Sequence, residues 1–439
     1  MGFREVVPAS LQEILQNGLL DRTFEDALVP ANLYDSLADT KPWAGAVGST
    51  GIFTKAGLMT PSTTPITGSD ATAATYGFEQ YQVKMDQYGT SIDTNMLLSA
   101  MALASKFLED NKTLAIQAAQ SINLLARAAL YSAFATGQTW VTTASTTSTA
   151  LIVNDASGYV NAVVDLATTG SNPAEGLTGT ATPTIVPVSG AAPLSITVGG
   201  VPNTVVGVNL STNTLTLGTA ISATVGQAVI SSIASPQIRP SARASGYNLT
   251  ASDLVTLSTF QAAVTRLRAQ NVPRIRGAYT AHVAPQTVEE LFQDNNFLLA
   301  YRGAAASPAY QNFEPGDSMG DAGEFMGRFS GIDWVLNTQT PTYTNPSGVE
   351  VYQPIVVGDG ALVKAPFSEM ASLISAMQAG STVQVDMIGG VVRILRAPLD
   401  RLGQVLSSTW SWVGGYTVGT DILTGDAAAY KRAVVIEHA

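Results

Sequence analysis

The chain has 439 residues, long enough for about two to three domains, and it contains no cysteine. Without cysteine, the chain has no disulfides, no thiolate metal sites and no cysteine nucleophile. The formal net charge of −11 and the pI near 4.7 argue against a reader of specific nucleic-acid sequences, which normally carries a basic face.

Charged residues make up only 13% of the chain, against about 25% in an ordinary soluble domain. A monomer with so few charges has difficulty staying soluble, whereas a subunit that covers its surface with neighbours does not. Obligate assembly is one explanation. GC-rich codon usage, which raises the content of Ala, Gly and Thr, explains the composition equally well.

Residues 1–47 are predicted to form an extended arm. The segment shows no signal peptide, and no apolar run in the chain reaches the length of a membrane span. Ser10 is a suitable N-cap for a short amphipathic helix, and we expect the arm to lie on the main body or on a partner because it has little apolar surface. The apolar side of that helix contains Leu11, Ile14, Leu15 and Leu19.

Residues 48–91 are predicted to form a long two-stranded hairpin that extends from the main body. Strand-like runs at 51–55 and 76–88 flank a tip rich in Gly, Thr, Ser and Pro. Isolated hairpins are marginally stable in water, so this one is expected to rest on another part of the assembly.

The strongest helical pattern covers residues 93–136. Ser91 or Asp93 is the expected N-cap, and Gly137 is the expected end. The polar run 109–112 is predicted to mark a break or bend between two shorter helices. An apolar stripe at spacings of three and four is formed by Leu114, Ala118, Ile122, Leu125 and Ala129.

Between residues 138 and 245 the composition changes to short β-branched runs separated by turns. Neither Lys nor Arg occurs between Arg127 and Arg239. The regular spacing predicts a small antiparallel sandwich or barrel, inserted into the rest of the chain. The β-branched content argues against disorder, which is the alternative. The predicted strands lie at 195–200, 204–208, 214–217 and 227–230.

From residue 250 onward, helices and strands alternate. Thr250 or Ser252 is predicted to cap a helix that passes through Leu254 and ends before Pro273, and Pro285 is predicted to open a second helix. The final two strands, 407–413 and 433–437, are expected to belong to one closing sheet. Earlier strands are predicted at 278–284, 327–336, 352–357 and 391–395.

The chain offers little for catalysis or metal binding. Its two histidines are His282, placed in a predicted strand with a structural role, and His438, expected to be exposed. Counting residues leaves a Ser/His/Asp triad open, but no nucleophile-elbow or phosphate-loop motif is present. We therefore predict no enzyme activity, no metal and no cofactor. Trp410 and Trp412 share one strand face, where core packing is favoured over a subunit contact.

The order arm, hairpin, long helix, α/β region and closing strands resembles the HK97-type major capsid protein of tailed bacteriophages. The letters are also similar to the N4-gp56-like capsid family over most of 90–439. The stretches that carry this resemblance are LTASDL (249–254), LRAQNVP (267–273), GAYTAHVAP (277–285), LFQD (291–294), GRFSG (327–331) and 351–362, which includes GDGAL.

The resemblance implies an α+β capsid fold with named parts. Its function would be self-assembly into hexamers and pentamers of an icosahedral virion shell around packaged double-stranded DNA. The expected partners are other copies of the chain, with scaffolding, portal and cement or decoration proteins as further candidates, non-specific contact with DNA, and no membrane. Assembly would take place in the host cytoplasm. The implied parts are an N-arm (1–47), an E-loop (48–91), a peripheral domain with a spine helix (92–137), an inserted β-rich domain (138–245), an axial domain (246–390) and strands closing the peripheral domain (391–439).

The candidate contacts between subunits lie on the hairpin and near the end of a helix. They are Phe53, Lys55, Phe78, Tyr81, Lys84, Arg266 and Arg268. In the HK97 type itself a hairpin lysine forms an isopeptide bond with another subunit, and Lys55 or Lys84 is the candidate here. With Arg274 and Arg276, the two arginines form a basic cluster that neutralises a helix end or pairs across a capsomer. Contact with DNA is the less favoured role for this cluster.

A β-rich surface protein is the alternative class. An adhesin or decoration protein with a carbohydrate-binding module at 140–240 accounts for the insert. It leaves the long helix and the similarity around 267–285 unexplained.

Overall fold

The protein is a mixed α+β structure. The computed structural model describes residues 22–24, 33–42, 50–56, 78–95, 106–166, 182–305, 325–367, 369, 372, 376, 383–396, 404–419 and 432–439. The longer helices are α1 (Lys106–Phe134), α2 (Leu257–Ala269), α3 (Pro285–Gln293) and α4 (Asn295–Ala305).

The strands fall into three six-stranded sheets and three two-stranded ribbons among the described residues. The first half of the chain contains β1 (Ala38–Thr40), β2 (Thr50–Ala56), β3 (Phe78–Lys84), β4 (Asp86–Asn95), β5 (Gln138–Trp140), β6 (Ser145–Ile152), β7 (Asn161–Leu166), β8 (Thr182–Pro187), β9 (Leu194–Val198), β10 (Val201–Asn209), β11 (Thr214–Ala223) and β12 (Ala228–Ser231). The second half contains β13 (Gln237–Ile238), β14 (Tyr279–Val283), β15 (Phe325–Phe329), β16 (Ile332–Leu336), β17 (Thr342–Thr344), β18 (Glu350–Tyr352), β19 (Ile355–Val357), β20 (Leu362–Pro366), β21 (Val383–Ile388), β22 (Val391–Arg396), β23 (Val405–Thr417) and β24 (Ala433–Ile436).

The 13-residue strand β23 organises the first sheet, which has the order β1-β20-β23-β22-β21. Strand β4 pairs with β23 along ten residues, from Asn95 opposite Val405 to Asp86 opposite Gly414. Because β4 and β23 are more than 300 residues apart in sequence, this sheet joins the two ends of the chain.

The second sheet has the order β13-β24-β19-β14-β16-β15 and is covered on both faces. In β24, Val434 and Ile436 join a core cluster with Phe260 of α2, whereas Ala433 and Val435 join a cluster with α1. A strand buried on both faces has a continuous apolar sequence, as the run AVVI shows.

Helix α1 belongs to the cores of both sheets. Around Leu114 and Ile122 it packs against Trp410 and Trp412 of the first sheet. Around Leu130 its last turns pack against β19 and β24 of the second sheet. A helix of 29 residues spans about 43 Å, so one rigid element reaches from one core to the other.

The insert is a small closed barrel with the strand order β5-β12-β9-β10-β11-β6. A bridge between Val141 and Val153 connects the two outer strands and closes the sheet. Inside, the Tyr159 hydroxyl donates to the carbonyls of Val229 (2.6 Å) and Gly137 (3.1 Å). Four of the six strands match the β-branched runs in the sequence, so the prediction of a small antiparallel sandwich or barrel is confirmed, and the insert is the barrel.

The short segment 33–42 is inserted between α1 and the second sheet. The Tyr34 ring is buried and stacks on His282 of β14 with a centroid distance of 4.7 Å. The Tyr34 backbone N–H donates to Asn123 Oδ1 of α1 at 2.6 Å, and β1 then pairs with β20 in parallel. Segment 33–42 therefore connects both sheets and α1. The helix predicted around Ser10 lies outside the described residues.

The prediction for the start of the long helix was wrong. Residues 86–95 form β4, which presents Tyr88 and Ile92 to the core beside α1, and Thr94 on the same face bonds to α1. Pairing with β23 makes this segment a strand rather than the start of the helix. The predicted break at 109–112 is absent because Asn111 is buried within continuous α1, and Asp110 accepts hydrogen bonds from Thr94 (2.7 Å) and Lys106 (2.9 Å).

The predicted cap of α2 was also wrong. The helix begins at Leu257 after Thr256, because Asp253 accepts the Thr250 N–H and hydroxyl in a separate turn. The first turn of α2 is instead bound by Asp294, which accepts the Leu257 N–H at 2.9 Å. Pro285 opens α3 as predicted.

The expectation that runs 407–413 and 433–437 share one closing sheet was wrong. β23 lies in the first sheet, whereas β24 pairs with β19 and β13 in the second. A strand with apolar residues on both faces requires cover on both sides, and the second sheet provides it for β24 between α1 and α2. The boundaries of the peripheral and axial domains stay predictions.

The buried His282 predicts a pH dependence of stability. Burial lowers its pKa from 6.5 to about 3 in the folded protein. Between these values the unfolded chain binds one proton more, so the free energy of unfolding falls as the pH falls below about 6.5. The free energy of unfolding of the isolated subunit can be measured with denaturant at pH 7 and pH 5. Its decrease from pH 7 to pH 5 is expected to be about 2 kcal/mol smaller in His282→Gln than in the wild type. An identical pH dependence in both proteins contradicts the assignment.

Candidate assembly surfaces

Strands β2 and β3 form an antiparallel hairpin stem that matches the predicted hairpin. The register runs from Thr50 opposite Lys84 to Ala56 opposite Phe78. It places Phe53 opposite Tyr81 and Lys55 opposite Glu79. The predicted tip, 57–77, lies outside the described residues.

The base of the hairpin is attached to β23. Val83 is almost fully buried, and the Thr417 hydroxyl donates to the Gln82 carbonyl at 2.9 Å. The Lys84 carbonyl approaches Gly415 so closely that a Cβ on this glycine would lie 2.1 Å from the oxygen. Glycine at 415 therefore lets the hairpin pass directly over β23.

One face of the stem is closed by aromatic rings and a lysine. The Phe53 and Tyr81 rings lie 5.7 Å apart. Lys41 Nζ is 5.3 Å and 5.4 Å from the two ring centroids and 2.8 Å from the Tyr81 hydroxyl oxygen. Tyr81 is only 7% exposed, so much of this predicted contact surface is already used within the subunit.

The opposite face of the stem remains available. Ile52 alternates with Phe53 along β2 and is 57% exposed. Ile52 is absent from the contacts predicted from the sequence, although the period-two alternation of a strand identifies it. An exposed aliphatic side chain on an extended hairpin is a suitable contact for another subunit.

The hairpin lysines differ in their surroundings. Lys84 Nζ forms a surface ion pair with Asp86 at 3.1 Å, and its side chain is 73% exposed. Lys55 lies in the stem rather than at the tip, as does Phe78. Formation of an isopeptide bond by either lysine stays a prediction.

Arg266 and Arg268 lie in the last turn of α2, and both are exposed. Arg274 and Arg276 follow in the turn before β14 and are exposed as well. The structure therefore brings the predicted basic cluster together at one end of the second sheet.

A buried hydroxyl, imidazole and carboxylate occur together at the other end of this sheet. His438 Nε2 lies 2.8 Å from Thr287 Oγ1, and His438 Nδ1 lies 2.9 Å from Glu290 Oε2. Each of the three residues is at most 3% exposed, and Glu290 also accepts the Val255 N–H at 3.0 Å. A substrate cannot reach this group, so it holds the C-terminal strand to α3. The prediction that His438 is exposed was wrong, because the residue bridges to Tyr352 beside β24.

The barrel carries an open groove of about 540 Å³ on its outer surface. Its lining includes Ser195, Asn203 and Thr219, and none of the described lining residues is aromatic or charged. Ligand pockets are usually lined by apolar and aromatic side chains around a few polar groups. The groove therefore offers little support for a carbohydrate-binding module.

The described ranges offer neither a cluster of metal ligands nor a membrane-spanning helix. They contain no group of three or more His, Asp or Glu residues placed to hold a metal ion. In the same ranges, no helix is both long and apolar enough to cross a bilayer.

Solved structures are similar to the chain over nearly its whole length. The capsid of Ralstonia phage GP4 superposes with a TM-score of 0.54 at 12% identity, over 92% of this chain and 87% of that one. The chain has the HK97-type capsid fold. Capsid chains of two cyanophages also overlap at lower scores: Pam1 (TM-score 0.44, 11% identity, 90% and 86% coverage) and P-SCSP1u (0.44, 10%, 93% and 88%).

The HK97-type fold matches the expectation from the order of elements. No family model and no curated protein matches the sequence. The narrower resemblance to the N4-gp56-like family therefore stays a prediction.

Substitution Gly415→Ala is expected to loosen the hairpin, because the new Cβ collides with the Lys84 carbonyl. The collision should destabilise the isolated subunit by about 1–3 kcal/mol. Limited proteolysis should then cut within residues 50–84 faster than in the wild type, and urea unfolding gives the loss of stability. The matched control is Gly190→Ala, because no atom lies within 4 Å of the added Cβ there. Equal cleavage rates in both variants would refute the attachment.

Proposed function

We propose that the chain is a major capsid protein that self-assembles into hexamers and pentamers of an icosahedral shell. The observation that carries this proposal is the HK97-type capsid fold over about nine-tenths of the chain. The low charge content supports it, because a subunit in a shell covers much of its surface with neighbours.

The hairpin gives a physical reason for assembly. Its stem is supported at β3 by β23, while Ile52 on the opposite face is exposed. In the proposed shell, this face lies over an adjacent subunit, and apolar burial between subunits supplies the driving force. Many such contacts, each weak alone, combine into a stable particle.

The proposed parts follow the fold. Residues 48–91 form the E-loop, α1 is the spine helix, the barrel is the inserted domain, and the second sheet forms most of the axial domain. The first sheet forms most of the peripheral domain. Segment 433–439 belongs with the axial domain in this proposal, because β24 pairs there.

The shell would enclose packaged double-stranded DNA. An acidic chain suits a wall around DNA, because a basic lining would bind phosphates non-specifically. Assembly would take place in the host cytoplasm, with scaffolding, portal and cement or decoration proteins as further partners. The role is structural rather than catalytic, consistent with the complete burial of Thr287, His438 and Glu290.

The test is the oligomeric state of the purified chain. Sedimentation velocity over a range of concentrations should show conversion of monomers into capsomer-sized or shell-sized species. Negative-stain electron microscopy should show rings of five or six subunits, or closed shells. A monomer that persists at the highest soluble concentration, with and without nucleic acid, contradicts the proposal.

A further inference from the structure

The second sheet has a basic end. Arg274 and Arg276 immediately precede β14, and the last turn of α2 brings Arg266 and Arg268 to the same place. The Arg268 guanidinium lies against Gly331 in the turn between β15 and β16. Four exposed arginines within eleven residues are unusual in a chain with 22 basic and 33 acidic residues.

The strand directions put a further arginine at this end. β24 runs antiparallel to β19, and β19 runs antiparallel to β14. β14 and β24 therefore begin at the same end of the sheet. Arg432 directly precedes β24 and donates to the Asp359 carbonyl at 3.0 Å. Asp39 and Asp359 are the carboxylates beside Arg432 among the described residues, and the arginines at this end outnumber them.

The opposite end of the sheet is acidic. β14 leads into α3, whose Glu289 is exposed, and α3 is followed by Asp294 at the first turn of α2. Glu350 is also exposed and lies two residues before Tyr352, which bridges to His438 just beyond β24. A five-residue strand is about 16 Å long, so the two charged ends face different directions.

Roles within the subunit do not account for the whole basic end. Arg266 and Arg268 complement the negative end of the α2 dipole, but Arg274 lies outside the helix. Within the described ranges, Arg266, Arg268 and Arg274 form no ion pair with a carboxylate.

A second copy of the chain is the partner that fits best. Two copies that each carry a net charge of −11 repel one another, and the basic end is where a neighbour's carboxylates can be attracted. The acidic end also exposes Phe292 (37%) and Leu254 (39%), and apolar groups rimmed by charge are typical of protein contacts. Contact between two different surfaces is heterologous, and such contacts form rings when the rotation between neighbours closes.

We propose that the basic end of each subunit binds the acidic end of the neighbouring copy, head to tail around a capsomer. This inference rests on the proposed function and names the surfaces that form the ring. Individual exposed ion pairs are weak, so the contact sets orientation, assembly rate and salt dependence more than overall stability.

The test is a charge exchange between two variants. Arg266→Glu/Arg274→Glu has acidic groups at both ends, and Glu289→Lys/Glu350→Lys has basic groups at both ends. Light scattering should show that each variant alone needs a roughly tenfold or higher concentration to assemble than the wild type. An equal mixture should assemble again, because the two variants alternate, and the rings should contain an even number of subunits.

The matched control is Ser211→Asp/Thr212→Asp, which lowers the net charge by two on an exposed turn of the barrel. The single variant Arg274→Glu lowers the net charge by the same amount at the basic end. The control should assemble like the wild type, whereas Arg274→Glu should not. Circular dichroism verifies folding of every variant. As an independent measure, added NaCl should slow wild-type assembly more steeply than assembly of Arg266→Gln/Arg274→Gln.

Four outcomes overturn the inference. Normal assembly of both charge-reversed variants refutes the contact. Failure of the mixture, with both variants folded, refutes the pairing of these two ends. Normal shells that lose only DNA retention in the arginine variant show instead that the basic end contacts DNA. If the wild type and the control both fail to assemble, the proposed function fails, and the inference fails with it.

Discussion

Packing of α1 against both sheets is the constraint on which the rest of the subunit depends. Leu114 and Ile122 bury one half of the helix beside the two tryptophans of β23, and Leu130 buries the other half beside β19 and β24. Segment 33–42 reinforces this junction, because Tyr34 bonds to Asn123 of α1 while stacking on His282 of the second sheet. One continuous helix therefore fixes the relation between two cores that share no strand.

A rigid junction lets the remaining parts extend away from the subunit. The hairpin continues from β4 and is attached through β3 to the same β23 that α1 covers. The barrel begins directly after α1, and after it the chain enters the second sheet as β13. Both the hairpin and the barrel are thus anchored close to the helix, and their outer faces are left for the proposed contacts between copies.

Local patterns in the sequence predict the elements whose stability is local. The apolar stripe through Leu114 and Ile122 predicts the body of α1, and the β-branched runs predict the barrel strands. Residues 86–95 could not be assigned correctly, because their strand forms by pairing with β23, more than 300 residues away. The same holds for β24, whose sheet is decided by which surfaces are available to cover Val434 and Val435.

The candidate surfaces also divide into those that a local pattern in the sequence reveals and those that depend on distant parts of the chain. The basic cluster at Arg266 and Arg274 is visible in the sequence because its members are close in the chain. The acidic end is not visible in the sequence, because only the strand order of the second sheet brings Glu289 and Glu350 to the same end. Burial of Tyr81 and His438 likewise depends on partners that no local pattern reveals.

The dependence of the extended parts on neighbouring copies is tested most directly by hydrogen–deuterium exchange in the free subunit and in the assembled particle. The amides of α1 should be protected in both states, because both cores cover the helix within one subunit. Those of β2 should exchange rapidly in the free subunit and slowly after assembly. Equal protection of β2 in the two states, or rapid exchange throughout α1 in the free subunit, would contradict the account.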